Sequence, residues 1–523
     1  MHALFVAAGI FLSRILGLVR ESLKARYLGA TESIAADAFQ QSFQIPNILQ
    51  NLFGEGALSA SFIPVYSRAL ARGNREEADR IAGAIGVLLG LAVSMLVLLG
   101  MLFTPALVSV IAAGFEGEKR ELTIQLTRIL FPGAGLLVFG AWCLGILNSH
   151  KRFFLSYAAP VAWNLAMIVA LVFYREQAPL PLAVKVAWAS VVGSALLVLV
   201  QLPTVFRVAP LMRPSLGRGS AEVRTIIRNF MPAFMGRGVV QISASIDQII
   251  ASFLATGAVA LLGYSRSLVM LPISLFAMSV SAAELPAMAS VSEDAAAEHV
   301  RERMVAGLRR IAFFVVPSAV AFLLFGDVIA AALFQSGRFT AEDTRFTWGI
   351  LAAASVGLLA TSLARLYSSA FYALHDTRSP LRMAIVRVVI AAALGAAAAI
   401  YAPRALGIAP QWGAAGLALA SSIAGWVEFL LLRGRLHRRV GGTGLPVVAI
   451  FRLFSAAAIA GAVAFVLKIW LPGAHRLVVA AAVLGCFGAV YLGLTMLLGV
   501  PEARGLLRRL TRRGGGNQTD GAG

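Results

Sequence analysis

The stretch "IFLSRILGLVRESLKA" (residues 10–25) is apolar enough for a membrane helix, yet it carries four ionisable side chains. On a helical wheel at about 100° per residue, its polar residues fall within an arc of roughly 120°, and apolar side chains cover the rest. This polar stripe consists of Ser13, Arg14, Gly17, Arg20, Glu21 and Lys24. A polar stripe on a membrane helix faces a cavity or a bundle interior. The stretch therefore predicts a membrane protein with a polar interior.

The composition of the whole chain supports the same class. Of the 523 residues, 59% are hydrophobic and 13% are charged, whereas soluble domains are about 25% charged. Apolar runs of about 20 residues, each long enough to span a bilayer, recur throughout. We therefore predict an all-α polytopic membrane protein with about 14 transmembrane helices. The predicted segments are 3–28, 35–68, 80–113, 122–148, 154–174, 185–206, 222–255, 260–290, 302–334, 343–373, 382–402, 412–432, 445–471 and 477–499. Internal glycines and prolines predict that 35–68 and 260–290 are kinked or broken.

The distribution of basic residues predicts the orientation of the helices. Loops after even-numbered helices, with the C-terminal tail, hold about 26 Lys and Arg residues, against about 9 in the other loops. Because these residues collect on the cytoplasmic side, both termini are predicted to be cytoplasmic. The net charge of +20 is explained by this topology, so no nucleic-acid partner is predicted. Residues 501–523 are expected to form a disordered, basic and Gly-rich cytoplasmic tail.

An internal repeat predicts the domain organisation. "FLATGAVALLGYSRSLVMLP" (253–272) aligns with "YLGATESIAADAFQQSFQIP" (27–46), and two further matches follow in the same order. Six predicted helices separate the copies, so both copies start with the same orientation. We expect two parallel six-helix lobes, 1–210 and 211–436, followed by two extra transmembrane helices at 437–500. Paired repeats of this kind are typical of transporters that bind substrate between the repeats.

The arginines within the apolar segments are the candidate binding residues. A central arginine costs about 2.5–3.5 kcal/mol on the lenient insertion scale, so Arg14, Arg20 and, in the second copy, Arg266 need a functional reason. Glu21 and Lys24 have a simpler explanation, an ion pair or a lysine reaching the membrane interface. A cationic cavity between the lobes would bind an anion, and guanidinium suits phosphate because it offers two parallel donors.

Two further patterns bear on function. The Gly-rich stretch "FGEGALSASFIP" (53–64) lacks the GK[ST] of a phosphate-binding loop, so we interpret it as a hinge or close-packing site. The predicted hinge residues are Gly54, Gly56, Pro64 and Pro272. No cysteine framework, metal-binding motif or catalytic constellation is found in the sequence, so we expect neither an enzyme nor a bound cofactor.

Four stretches together resemble the MurJ/MviN family of lipid II flippases, within the multidrug/oligosaccharidyl-lipid/polysaccharide exporter superfamily. They are "SRILGLVRE", "DAFQQSFQIPNILQNLFGEGALSASFIPVYS", "IASFLATGAVALLGYSRSLVMLP" and "FYALHDTRSPLRMAIV". The resemblance covers about residues 1–500. It implies transport of the undecaprenyl-pyrophosphate-linked peptidoglycan precursor from the inner to the outer leaflet of the bacterial cytoplasmic membrane. It also implies a 14-helix fold whose last two helices form a hydrophobic groove, in which we expect the polyprenyl tail to lie.

The resemblance also implies roles for individual residues. Arg14, Arg20 and Arg266 match the family's required cavity arginines, Asp37 matches a sensitive acid of the second helix, and Arg365 stands where a basic residue occurs in the tenth. The sequence departs from the family where many members have two basic residues and this chain has Gln50 and Asn51. A lysine is likewise replaced by Gln44. These departures imply a less basic cavity, in which amide donors still contact the substrate.

Coupling and partners are expected from the same resemblance. Asp247 and Asp376 match parts of a cation site described for some members, so sodium coupling and membrane-potential coupling both stay open. The expected partners are lipid II, membrane lipids and the cell-wall synthesis machinery. The alternative functions are export of another lipid-linked oligosaccharide or of drugs. A cationic drug would favour a more apolar or acidic cavity, which the arginine stripe argues against. A polyprenyl-phosphate transferase would need a carboxylate cluster, which the sequence lacks.

Overall fold

The computed structural model describes residues 2–217, 219–289, 296–471 and 473–505, and every regular element in these ranges is helical. The first helices are α1 (His2–Leu28), α2 (Ile34–Ser42), α3 (Gln44–Phe53), α4 (Glu55–Ala71), α5 (Arg75–Leu102), α6 (Thr104–Ile111), α7 (Gly117–Ser149), α8 (Phe153–Phe173), α9 (Pro179–Val208) and α10 (Ala221–Ser252). Side chains cap several of them, because Ser33, Asn74 and Ser220 accept hydrogen bonds from first-turn amides of α2, α5 and α10.

The remaining helices include one π-helical segment and one short 3₁₀ turn. They are α11 (Ala258–Pro272), the π-helical segment Ile273–Met278, α12 (Ser279–Ala289), α13 (Ala296–Leu333), α14 (Ala341–Ala373), α15 (Arg378–Leu406), the 3₁₀ turn Pro410–Trp412, α16 (Gly413–Val440), α17 (Val447–Ile469) and α18 (Arg476–Leu497). Residues 501–505 are also helical. The rest of the predicted disordered tail, 506–523, lies outside the described residues.

Each of the fourteen predicted segments coincides with helical residues, and three of them are divided. The segment 35–68 is broken into α2, α3 and α4, and 260–290 is interrupted by the π-helical segment, as the internal glycines and prolines predict. The division of 80–113 into α5 and α6 was not predicted. Eleven described helices are long and apolar enough to cross a membrane. The all-α, multi-pass fold class is therefore confirmed, and fourteen remains the predicted number of spans.

The break between α3 and α4 occurs at Gly54 for a steric reason. Its backbone has φ −75° and ψ −143°, and its amide donates to Gln50 O at 2.6 Å. A Cβ placed on Gly54 would lie 2.3 Å from that same oxygen. Only glycine fits this backbone without displacing the end of α3. The predicted break within 35–68 therefore includes Gly54, and its action as a hinge stays a prediction.

The chain divides into two compact units, one formed by residues 1–260 and 334–340, the other by 261–333 and 341–523. This division differs from the predicted boundary at 210 because α10 packs on α3 and α4 of the first unit. Phe53 lies 5.6 Å from Phe230 and 5.1 Å from Phe234, measured between ring centroids. The last two helices, predicted as a separate region, belong to the second unit. The two parallel six-helix lobes inferred from the internal repeat remain a prediction.

The core of the first unit lies where α4, α5 and α7 pack together. Phe62 and Tyr66 of α4 are fully buried and stacked at 5.2 Å, and they pack with Ile81 of α5 and Trp142 of α7. Burial of these large side chains fixes α4 against α7. Since α7 and α9 also pack together, this core sets the position of the walls that surround the cavity described below.

The second unit is built around α14, which packs against α13 and α16, with α15 on the far side of α16. The pair α17 and α18 packs on α13. Two polar contacts accompany this packing: Lys468 Nζ donates to Asp327 Oδ2 at 2.6 Å, and Tyr491 Oη donates to Phe313 O at 2.7 Å. Each of the last two helices therefore has one polar contact with α13, Lys468 of α17 with Asp327 and Tyr491 of α18 with Phe313.

Candidate substrate cavity

A polar cavity of about 490 Å³ lies within the first unit, between α1, α3, α7, α8 and α9. Small and apolar residues of α7 and α9 form part of its wall. Its polar lining consists of Ser13, Arg20, Asn47, Gln50, Asn51, Asn164 and Gln201. The cavity thus brings together three predicted site residues from two separate segments, Arg20 on α1 and the Gln50–Asn51 pair on α3.

Arg20 is held in one orientation by three neighbours. Its Nη1 donates to Asn164 Oδ1 at 3.0 Å, its Nη2 donates to Glu21 Oε1 at 2.8 Å, and its guanidinium lies 4.5 Å from the centroid of the Trp163 ring. The buried Nε–H has no acceptor. The guanidinium is therefore fixed in place by protein contacts, and it still has donor capacity for a further acceptor.

Glu21 bridges two cations on the polar stripe of α1. Besides accepting from Arg20, it accepts from Lys24 Nζ at 2.8 Å. The alternative explanation for Glu21, an ion pair with Lys24, is therefore confirmed. Lys24 is only 6% exposed, and its reach to the membrane interface stays a prediction. The three side chains together carry a formal charge of +1, which places one net positive charge beside the cavity.

The amide side chains of α3 share one helix face because they are spaced by three and four residues. Asn47, Gln50 and Asn51 all line the cavity. Asn51 Nδ2 also donates to Gln241 Oε1 of α10 at 3.0 Å. Two of the three departures from the family pattern, Gln50 and Asn51, therefore fall on the cavity wall, where they supply neutral hydrogen-bonding groups; Gln44 is not among the lining residues.

Four polar or aromatic cavity residues were not predicted from the sequence: Asn47, Trp163, Asn164 and Gln201. Trp163 Nε1 donates to Ser190 Oγ at 3.1 Å, which orients the ring under Arg20. Gln201 is 2% exposed; its Nε2 donates to Leu197 O at 3.1 Å, and its Oε1 has no donor. The available signal was an isolated amide within an apolar helix, as in "VAWNLAMIV" (161–169), which is costly in a membrane unless it has a partner.

Arg14 lies six residues before Arg20 on α1, and its side chain is exposed. Ser13 and Gly17, from the same polar stripe, line the cavity. Arg266 on α11 and Arg365 on α14 belong to the second unit, and both side chains are exposed. Contact of Arg14, Arg266 and Arg365 with a substrate therefore stays a prediction.

Asp37 has a different environment from the cavity residues. Its carboxylate is fully buried and accepts from Lys119 Nζ at 2.5 Å, and from the amides of Gly257 and Ala260 at 2.8 Å each. No surface of the carboxylate is open to a ligand in this conformation. The contacts are those of a residue that holds the chain at 257–260 against α2, and contact of Asp37 with a substrate stays a prediction.

The other predicted hinge residues lie within or at the ends of helices. Gly56 and Pro64 are inside α4, and Pro272 ends α11 where the π-helical segment begins. Proline removes one helical hydrogen bond, and π-helical turns often occur at functional sites. These positions weaken the regular helix locally, which is what a hinge requires, and their movement remains a prediction.

The two predicted cation ligands occur on separate elements. Asp247 lies on α10, and Asp376 lies two residues before α15. Asp376 Oδ1 accepts from the amides of Arg378 and Ser379, and its Oδ2 pairs with Arg439 Nη2 at 2.8 Å. No group of three or more His, Cys, Asp or Glu side chains suited to a metal occurs among the described residues. The observed contacts of Asp376 are those of a helix cap, and a sodium site stays a prediction.

These features define an integral membrane protein of the transporter type: a multi-pass helical bundle with a polar, arginine-bearing cavity beside a broken helix. The chain belongs to the MurJ family, because the family model described as "Lipid II flippase MurJ" matches residues 24–484. The resemblance found in the sequence is thereby confirmed.

Relatives and solved structures agree along nearly the whole chain. The lipid II flippase MurJ of Burkholderia cenocepacia is 30% identical, with 96% of this chain and 98% of that protein covered. The probable lipid II flippase MurJ of Vibrio cholerae is 32% identical, with 95% of each covered. A solved lipid II flippase MurJ in an inward closed conformation superposes with a TM-score of 0.76 at 23% identity, covering 95% and 98%. An inward-facing MATE family multidrug transporter gives 0.66 at 20% identity, covering 82% and 95%, and supports the fold alone.

Proposed function

We propose that this protein is a lipid II flippase. It moves the undecaprenyl-pyrophosphate-linked peptidoglycan precursor from the inner to the outer leaflet of the bacterial cytoplasmic membrane by alternating access. Membership of the MurJ family over most of the chain supports this substrate. The observation that carries the proposal is the rigidly held Arg20 at a cavity wall whose other polar lining is neutral.

The cavity chemistry fits the two parts of the substrate headgroup. Pyrophosphate oxygens only accept hydrogen bonds, and Arg20 offers N–H donors in a planar arrangement that stays charged when water is excluded. The sugar and peptide parts carry both donors and acceptors, and Asn47, Gln50 and Asn51 offer both. Arg14 and Arg266 are proposed as further contacts to the pyrophosphate. A cationic drug would be repelled by Arg20, which disfavours the drug-export alternative.

Topology, energy source and partners complete the proposal. Both termini lie in the cytoplasm, in accord with the excess of Lys and Arg in the loops after even-numbered helices. Transport draws on the membrane potential or on a sodium gradient, since one charge moved through 100 mV gains about 2.3 kcal/mol. No bond of the substrate is made or broken. Cell-wall synthesis enzymes are the partners that would consume the exported precursor.

The test uses a bacterium whose own flippase is depleted and measures lipid II arrival at the outer leaflet. The parent chain is expected to restore transport, and Arg20→Ala is expected to lower it by about 10–100-fold, because a hydrogen bond to a charged group contributes about 1.5–3 kcal/mol. Removing Arg20 leaves Glu21 paired with Lys24 at 2.8 Å, so no buried charge is stranded.

A matched control is available in Arg80→Ala. Arg80 is an exposed arginine of the same unit whose only described ion pair is a surface contact with Glu76, and such pairs contribute little. Its variant is expected to transport like the parent. If the parent fails to restore transport while it is present in the membrane, the proposed function is wrong. If Arg20→Ala transports as well as Arg80→Ala, the assignment of Arg20 is wrong.

A further inference from the structure

A second, smaller pocket of about 100 Å³ lies in the second unit where α13, the start of α17 and the chain after α18 meet. Apolar residues of 445–453 and 500–501 form most of its wall. Its charged lining consists of Arg309 on α13, Arg452 on α17 and Glu502. It shares no residue with the cavity around Arg20, and nothing in the proposed transport step uses it.

The pocket is positively charged on balance. Arg309 Nε lies 3.9 Å from Glu502 Oε1, a loose contact that leaves most of its donors unused. Arg452 forms no ion pair within the described part of the chain, although it lies in an apolar helix. The N-terminus of α17 also opens here, because Pro446 is its cap and Val448 lines the pocket. First-turn amides of a helix lack intrahelical acceptors and carry a partial positive charge.

Size and surroundings restrict the occupant. A volume of 100 Å³ accommodates a phosphate group, whereas the disaccharide–peptide of lipid II is far larger. Two large apolar side chains that adjoin the lining residues Val448 and Arg452 in the sequence are exposed, Val447 by 80% and Phe451 by 73%. In a membrane-spanning chain, such side chains are covered by acyl chains. A ligand that joins a phosphate to acyl chains satisfies both observations.

We propose that this pocket binds an anionic phospholipid. Its phosphate lies between Arg309 and Arg452 at the N-terminus of α17, and its acyl chains run along Val447 and Phe451. Arginine suits this role because its planar donors pair with two phosphate oxygens at once. In the proposed topology the pocket opens at the cytoplasmic leaflet, where anionic lipids attract basic groups. The bound lipid would brace α17 and α18 against α13.

The purified full-length chain is tested by native mass spectrometry with phosphatidylglycerol and with phosphatidylcholine of the same acyl chains. The parent is expected to bind phosphatidylglycerol at least about tenfold more tightly, and Arg452→Gln is expected to remove most of this preference. Arg438→Gln is the control, because it removes the same charge from an exposed position on α16. Arg452→Lys keeps the charge without the two parallel donors, so an intermediate preference is expected.

Three outcomes would overturn the proposal. The first is equal binding of the two lipids by the parent. The second is a preference in Arg452→Gln equal to that of Arg438→Gln, with both variants eluting as folded protein in size-exclusion chromatography. The third is displacement of phosphatidylglycerol by millimolar inorganic phosphate or by undecaprenyl phosphate, which would assign the pocket to free anions or to polyprenyl phosphates.

Discussion

Replacement of Gly54 by alanine tests whether the break between α3 and α4 shapes the cavity. The added Cβ would lie 2.3 Å from Gln50 O and 3.8 Å from Ala141 Cβ. The first contact is the severe one, and its partner is a backbone atom that cannot rotate away. Relief requires the end of α3 to move. Because Gln50 and Asn51 occupy that last turn, the substitution displaces two cavity residues as well as straining the chain.

The expected cost follows from two contributions. Accommodating an added carbon atom in a closely packed site costs about 1–3 kcal/mol. Movement of α3 also weakens the 2.6 Å hydrogen bond from Gly54 N to Gln50 O, and a hydrogen bond contributes about 0.5–1.5 kcal/mol. The sum is about 2–4 kcal/mol. This cost falls on the broken form of the α3–α4 helix. At about 1.4 kcal/mol per factor of ten, it shifts the equilibrium between the broken and a straightened helix by roughly 30-fold or more toward the straightened helix.

The assay combines thermal unfolding of the detergent-purified protein with restoration of lipid II transport in depleted cells. Gly54→Ala is expected to lower both. Gly90→Ala in α5 is the matched control, because its Cβ would meet nothing within 4 Å. Alanine in a helix interior is about 0.5–1 kcal/mol more favourable than glycine, so this variant is expected to be at least as stable as the parent. Equal stability and transport in Gly54→Ala and Gly90→Ala would refute the steric reasoning.

Three further predictions concern polar contacts outside the cavity. Asp37→Asn leaves Lys119 without its buried partner, so we expect a loss of about 3–5 kcal/mol in thermal unfolding, partly recovered by adding Lys119→Met; no recovery would show that the pair is not the cause. Burial lowers the pKa of His150 below its ordinary value of 6.5, helped by the nearby charges of Arg75 and Arg152 and opposed by Asp79. The neutral ring is therefore favoured in the folded state, so this stabilisation is complete above pH 6.5 and is lost as the pH falls through the lowered pKa; unfolding temperatures measured from pH 7.5 to 5 should show this loss, and His150→Gln should reduce it. Asp376→Ala removes the carboxylate that accepts from the Arg378 and Ser379 amides at the start of α15, and because such contacts contribute about 0.5–2 kcal/mol, a fall in unfolding temperature is expected; an unchanged temperature would contradict the capping role.

The helices could be predicted from the sequence because a membrane span needs only about 20 apolar residues, and that length is visible without knowledge of packing. The break between α5 and α6 was missed although a signal was present. Pro105 is the second residue of α6, and proline favours the first turn of a helix. The segment 80–113 is long and mostly apolar, and these two properties alone predict one continuous helix. The proline therefore did not change the prediction.

The candidate site could be predicted only where its residues recur with helical spacing. The stripe around Arg20 and the amides of α3 have that spacing, so the sequence indicates one shared face for each. Asn164 and Gln201 stand alone in apolar helices, and only packing places them beside Arg20. The contacts of Asp37 were equally hidden, because Lys119 and Gly257 lie 82 and 220 residues away in the chain.

The neutral amides on α3 have a consequence for release of the substrate. Two unit charges about 4 Å apart at an effective dielectric constant near 20 attract by about 4 kcal/mol. A cation at position 50 or 51 would thus add binding energy of this order to a pyrophosphate already paired with Arg20. At about 1.4 kcal/mol per tenfold change, that addition would slow dissociation by roughly three orders of magnitude unless the outward-facing state separated the charges. With Gln50 and Asn51 in place, the first-unit wall contributes the positive charge of Arg20 and several neutral hydrogen bonds, which water can replace when the cavity opens. A flippase has to release its cargo as readily as it binds it, and neutral amides on α3 keep a further cation from being added to those proposed at Arg14, Arg20 and Arg266.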